Sequence, residues 1–194
     1  MQLTAAESRA WMKTRRSVYP KMFKNGEVSR EEILRLLEVA RWAPTHKLTQ
    51  PWRFHVYMNE SRLELAKLQS EILINQKGES EQTVAKCAKM HLNADRSAAV
   101  IAIIMKRDVE KRVPPNEEIC AVACAVQNIA LHASSMGLGG YWSTGASTNS
   151  PKIRSELKLN EDDLHLGWLY IGAVESLTAA KDNRFEVEGY VEFR

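Results

Sequence analysis

Three short stretches concentrate the residues able to do chemistry. Arg15-Arg16-Ser17 sets two guanidiniums beside a hydroxyl. Forked N–H donors match phosphate geometry, and the hydroxyl adds another donor. The same pair also suits a basic helix C-terminus complementing the helix dipole. Ala43-Pro44-Thr45-His46-Lys47-Leu48-Thr49-Gln50-Pro51-Trp52 is a loop stiffened by two prolines and carrying Thr, His and Gln. Held against an apolar strand, such a loop can clasp the edge of a heteroaromatic ring. Gly139-Gly140-Tyr141-Trp142-Ser143-Thr144-Gly145-Ala146 joins glycines to hydroxyls. Glycine there would let a flat ligand approach the backbone.

The remaining candidates are weaker. G-L-G-G-Y-W at 137–142 lacks the third glycine of the dinucleotide fingerprint and follows a helical pattern, not a strand. The chain has no Walker lysine loop, no H-E-x-x-H and no nucleophile elbow. Cys120 and Cys124 share a helix face without a His or second Cys pair, so they read as small buried apolar residues. His55, His91, His132 and His165 have no motif partner and read as packing or surface.

The elements that must position these stretches follow from periodicity. Thr4 to Glu7 fits a capping box, opening a helix that should run to about Arg16 before Pro20. Asn25-Gly26 is a turn signal, and Ser29 with Glu32 opens a second helix burying Ile33, Leu36, Leu37 and Ala40. Trp52 to Met58 alternates as a strand with one packed face. Ser61 to about Gln76 is an amphipathic helix, with Leu65, Leu68, Ile72 and Leu73 inward, and another covers about Thr83 to Leu92. The unbroken apolar run Ala98 to Met105 predicts a central strand buried on both faces.

Pro114-Pro115 starts a helix over about 117–136 that is apolar most of the way round. It should be the core helix or a subunit interface, ended by Gly137, Gly139 and Gly140. A short strand over 141–145, a helix after Ser150-Pro151 and a buried strand over 164–174 complete the order. The tail alternates Phe185, Val187, Val191 and Phe193 with glutamates, as a terminal strand with nothing nearby in the chain to pair with. Single strands scattered among helices make the class α+β.

Composition agrees with one globular domain over residues 1–194. Of the 194 residues, 44% are apolar and 26% charged, enough for a full core. Lys and Arg total 27 against 24 Asp and Glu, mixed along the chain, which argues against a nucleic-acid partner. No apolar run approaches the ~18–20 residues of a membrane span, and the first residues lack a signal peptide's pattern. Cytoplasmic location is the expectation. Three cysteines are too few for a disulfide framework.

Taken in order, R-R-S, A-P-x-x-x-x-x-Q-P-W-x-F and G-x-G-G-Y-W-x-x-G resemble the FMN-dependent nitroreductase family. The A-P-T-H-K form of the loop is most similar to its compact subgroup. The resemblance implies an α+β fold with a central, mostly antiparallel sheet flanked by helices. It further implies an obligate homodimer with the long core helix and FMN at the interface, and a tail that crosses to the partner. Carried over by position, Arg15, Arg16 and Ser17 would bind the FMN phosphate and ribityl chain. His46 and Gln50 would contact flavin from the clasping loop, with Trp42 beside them, and Trp142, Ser143 and Thr144 would line the flavin and phosphate region.

The match leaves open whether Arg184 joins them and which subunit supplies each contact. No side-chain nucleophile is implied. NADH or NADPH would deliver hydride through the flavin to a nitroaromatic, quinone or similar acceptor, with ping-pong kinetics. Two alternatives share the fold: a different flavin reaction such as dehalogenation or flavin cleavage, and a non-catalytic flavin- or ligand-binding dimer.

Overall fold

A computed structural model of the chain describes residues 3–24, 26–145, 147–175 and 183–194. Its centre is the strand β2 (Ala99–Met105), in which every residue is buried, as the apolar run requires. β1 (Trp52–Met58) pairs antiparallel on one side of β2 and β4 (Leu164–Ala173) on the other. β3 (Leu138–Ser143) pairs antiparallel with β4, giving the order β1-β2-β4-β3.

The period of two divides β2 between two cores. Ala99, Ile101, Ile103 and Met105 pack with Ile33 and Leu36 of α2 (Arg30–Glu38) and with Val122, Ala125, Val126 and Ile129 of α5 (Pro115–Ser135). Val100, Ala102 and Ile104 pack on the opposite face with Leu65 and Ile72 of α3 (Glu60–Lys77) and Ala94 of α4 (Glu81–Arg96). Ile153 of α6 (Pro151–Glu156) joins them. Each Val, Leu, Ile or Met side chain among them removed from water contributes about 1.5–3 kcal/mol.

Local signals set most helix ends. α1 (Ala5–Thr14) carries the capping box: Glu7 N–H donates to Thr4 Oγ1 at 3.2 Å and Thr4 N–H to Glu7 Oε2 at 2.8 Å. It stops at Thr14 rather than Arg16, so Arg15 and Arg16 lie in extended backbone beyond it. The Ser29–Glu32 box caps α2, and a 3-10 turn over Val39–Trp42 carries the chain on to Pro44. α4 runs longer than its apolar stripe suggests. Ser80 caps it by accepting from Thr83 N–H, and it ends at Arg96. The Gly78–Ser80 link between α3 and α4 is short and polar, with no inserted lid.

Two expectations are corrected. Of the three glycines after α5, Gly137 alone, at φ +70°, turns the helix off. Gly139 and Gly140 already belong to β3. In addition, the described tail forms no strand. It holds one 3-10 turn, Val187–Gly189, with Phe185 and Phe193 almost wholly exposed. A strand is defined by a neighbour's ladder, and among the described residues the tail pairs with none. Asn25 of the expected Asn25-Gly26 turn lies outside the described residues.

Close packing explains the other sheet glycines. A Cβ on Gly172 would stand 2.4 Å from the Phe23 ring. Gly172→Ala is therefore expected to destabilise the fold by about 1–3 kcal/mol, as overpacking does. Phe23→Leu in the same chain should recover part of the loss, read as urea midpoints.

Candidate functional site

Arg15-Arg16-Ser17 form a strap that joins the β3 edge of the sheet. Ser17 bridges Gly140 in parallel, and Val18 N–H donates to the Gly140 carbonyl at 2.9 Å. The Tyr19 ring rests on Tyr141 at 4.6 Å, and Thr14 and Ser134 share a hydrogen bond of 3.1 Å at the end of α5. Neither Arg15 nor Arg16 has an ion pair among the described residues, and Arg16 Nε is buried with no hydrogen-bond partner. A guanidinium is always charged, so a buried donor left open there is costly unless an acceptor arrives.

Trp142, Ser143 and Thr144 lie further along the same edge, roughly 10 Å from Gly140 at ~3.3 Å per residue. Trp142 Nε1 donates to the Leu166 carbonyl at 2.9 Å, which fixes the indole against β4. The Ser143 and Thr144 hydroxyls make no hydrogen bond among the described residues. The structure therefore places R-R-S and W-S-T along one edge, on either side of the Ser17–Gly140 bridge.

Gly139 does not serve ligand approach as expected. Its missing Cβ makes room for Val174, Phe23 and Val18, each within 3 Å of where that atom would stand. Ala146, the last residue of that stretch, lies outside the described residues. Gly167 was not singled out. It sits at φ +120° at the β2–β4 register shift, and a Cβ would meet Ser143 O at 2.6 Å and Trp142 Nε1 at 2.9 Å. A glycine inside the apolar strand pattern 164–174, which holds Gly167 and Gly172, is the available signal for it.

The clasping loop sits elsewhere. It enters β1, the opposite sheet edge, and docks on the first turn of α5. His46 Nδ1 meets Glu117 Oε2 at 2.5 Å, and Lys47 Nζ donates to the Arg112 carbonyl at 3.1 Å. Gln50 N–H donates to Thr45 Oγ1 at 3.0 Å. Lys47, Leu48 and Gln50 all have φ near +50°. Each non-glycine residue held left-handed costs about 1–2 kcal/mol and persists only where its surroundings impose it. Trp42, on the 3-10 turn, is 71% exposed with the Arg41 guanidinium 5.5 Å over its ring.

The loop docks beside an ionic cluster where β2 hands over to α5, which it reaches through the Arg112 carbonyl and Glu117. The Glu118 carboxylate is buried, paired with Arg107 and accepting from Asp108 N–H at 3.0 Å. Arg112 clamps Asp108 through Nε at 2.8 Å, and those bonds hold the Asp108 carboxyl down at about 2. Composition and spacing gave no hint of this cluster, because its members lie in a charged stretch that reads as surface.

Cys120 is exposed and Cys124 half-buried, so the expectation that both are buried holds for neither in full. Cys87 is the buried one, between α3 and α4. His165 is buried against Trp168 with ring centroids 4.4 Å apart, and its Nδ1 lies 3.0 Å from the Thr148 carbonyl. That bond ties β4 to the loop following β3.

The family model described as "Nitroreductase family" matches residues 12–173. "Putative NAD(P)H nitroreductase YdjA" of Escherichia coli strain K12 is 30% identical over 142 residues, covering 73% of this chain and 75% of that protein. "Putative NAD(P)H nitroreductase YfhC" of Bacillus subtilis is 24% identical over 152 residues, 78% of this chain and 76% of that protein. Among solved structures, a nitroreductase-like family protein from Bacillus cereus superposes with a TM-score of 0.79 at 26% identity, over 100% of this chain and 99% of that one. CinD of Lactococcus lactis, solved with nicotinic acid, gives 0.74 at 14% identity, over 96% and 99%. At that identity the likeness speaks for the fold alone. Fold and family together define the class as oxidoreductase. This chain belongs to the nitroreductase family.

Burial pulls the His165 imidazole below its ordinary pKa, against the Thr148 carbonyl, which favours the charged form. The unfolded chain therefore binds the proton first. The stability that neutral His165 contributes is complete above the ordinary imidazole pKa and is lost as pH falls through it toward the lowered value. Urea titrations should show stability falling between neutral and mildly acidic pH. His165→Gln should flatten that part of the profile.

Proposed function

We propose that this chain is one FMN-binding domain that pairs with a second copy. The pair moves hydride from NADH or NADPH to a nitroaromatic, quinone or similar acceptor in a ping-pong cycle. The observation that carries the reading is the unpartnered Arg16 guanidinium in the strap, with Arg15 and Ser17 beside it. Phosphate is the complementary acceptor: planar forks take its oxygens pairwise, and Ser17 adds a hydroxyl. Trp142, Ser143 and Thr144, on the same edge, would flank the rest of the cofactor. FMN, when bound, supplies the hydride-accepting and hydride-donating chemistry. The chain's own work is to hold the anionic end, to order the ring slot and to keep water from it.

The geometry of α5 supports a second copy. The strap docks by Ser134 and the clasping loop at Glu117, roughly 25 Å apart along α5 at ~1.5 Å per residue. One chain therefore cannot close both on one small molecule. Two chains with α5 helices antiparallel would set His46, Gln50 and Trp42 of one copy beside Arg15 and Arg16 of the other. Cys120, Ala123, Cys124, Gln127, Ala130 and Ser134 leave an incompletely covered stripe of mostly small side chains on α5. Such a stripe permits close approach of a twin helix. The exposed Phe185 and Phe193 would find cover on the partner.

Names of relatives agree: the Escherichia coli protein is named for NAD(P)H. A mutant of NfnB from sphigopyxis sp. strain HMH, described as FMN and NADPH-dependent, shares the fold at TM-score 0.73 and 18% identity, over 99% of each chain.

Purified protein is expected to be dimeric, to show flavin absorbance, and to bleach anaerobically with NADH or NADPH. A colourless protein that takes up no added FMN sinks the reading. A yellow one that neither nucleotide bleaches leaves a binder and removes the reaction. Arg15→Ala and Arg16→Ala should each weaken FMN roughly 10–100-fold, since a hydrogen bond to a charged group contributes about 1.5–3 kcal/mol. Full flavin content in both variants would reject the phosphate assignment.

A further inference from the structure

The clasping loop carries an instruction for one side chain. Its left-handed residues Lys47, Leu48 and Gln50 are held by backbone-directed bonds: Gln50 N–H to Thr45 Oγ1, Lys47 Nζ to the Arg112 carbonyl, Arg53 to the Gln50 carbonyl at 2.9 Å. Among the described residues, the hydrogen bond with Glu117 is the one that reaches the His46 ring itself. A carboxylate only accepts, so Nδ1 carries the proton and points at Glu117. Nε2, on the other edge of the ring, is then turned away from Glu117. Glu117 is itself well placed to give direction. It sits in the first turn of α5 beside Glu118, whose buried carboxylate is locked to Arg107 and the Asp108 N–H.

We propose that Glu117 is a positioning residue for cofactor binding. It accepts from His46 Nδ1, fixes the tautomer and plane of the imidazole, and so presents Nε2 to FMN in the partner's half of the site. The inference rests on the FMN-dimer reading above. Glu117 touches neither cofactor nor substrate in this arrangement and acts only through His46. The pair is open to solvent, with side-chain exposures of 55% for His46 and 41% for Glu117. Pairs so exposed add little to folding stability. That separates a positioning role from a structural one.

The test measures FMN affinity by quenching of flavin fluorescence on the dimeric protein, stripped and reconstituted. Four chains are compared: wild type, Glu117→Ala, His46→Ala and the double variant. Glu117→Ala is expected to weaken FMN roughly 3–10-fold, the scale of losing one ordered side chain at a binding surface. Its urea midpoint should match wild type. His46→Ala should weaken FMN by as much or more, and the double variant should be no worse than His46→Ala alone. Glu117→Gln, whose amide oxygen still accepts from Nδ1, should bind close to wild type. Wild-type affinity in Glu117→Ala overturns the proposal, and so does a double variant whose loss is the product of the two single losses. A wild-type protein that binds no FMN instead fells the functional reading, and this inference with it.

Discussion

Between Glu117 and Ser134 the helix α5 rises without a break, and its buried face of Val122, Ala125, Val126 and Ile129 presses on the sheet along that length. A helix so packed is a rigid spacer. The polar strap is attached near one end and the clasping loop at the other, so α5 holds the two attachment points roughly 25 Å apart at ~1.5 Å per residue. In the proposed reading, that spacing is what divides the cofactor contacts between two copies of the chain. It is also why a helix apolar almost all round can keep an uncovered stripe in the isolated chain.

The two ends are built differently. At the strap end the backbone is extended and borrows its order from β3, while the guanidiniums have no acceptor among the described residues. That end carries positive charge with no acceptor among the described residues. At the loop end the left-handed residues are held against their preference by bonds from Gln50 N–H to Thr45, from Lys47 to the Arg112 carbonyl and from Arg53 to the Gln50 carbonyl. That end is a rigid ledge. Removing one member of a buried ion pair leaves a stranded charge costing several kcal/mol, so the ledge and the start of α5 stand or fall together.

Glycines divide along the same line. Those after α5 invite a ligand-centred reading, yet Gly139 and Gly172 yield their space to Phe23 and its neighbours, and Gly167 yields its space to the end of β3. In each case the missing Cβ lets one part of the chain approach another. The distinction is invisible in a string of residues, because it depends on which side chain arrives from elsewhere. Phe23 lies far along the chain from both Gly139 and Gly172.

Capping boxes at Thr4 and Ser29, the turn chemistry at Gly78 and Gly137, and the apolar run of β2 are local interactions. Residues a few positions apart settle them, so the order of elements and the α+β class were legible directly. The likeness of three short motifs carried the family. What lay beyond reach was the pairing of distant parts: the strap on β3, His46 on Glu117, the burial of Glu118, and a tail with no strand to join. Those depend on the free energy of desolvating particular groups against particular partners. That quantity exists only once the chain has closed on itself.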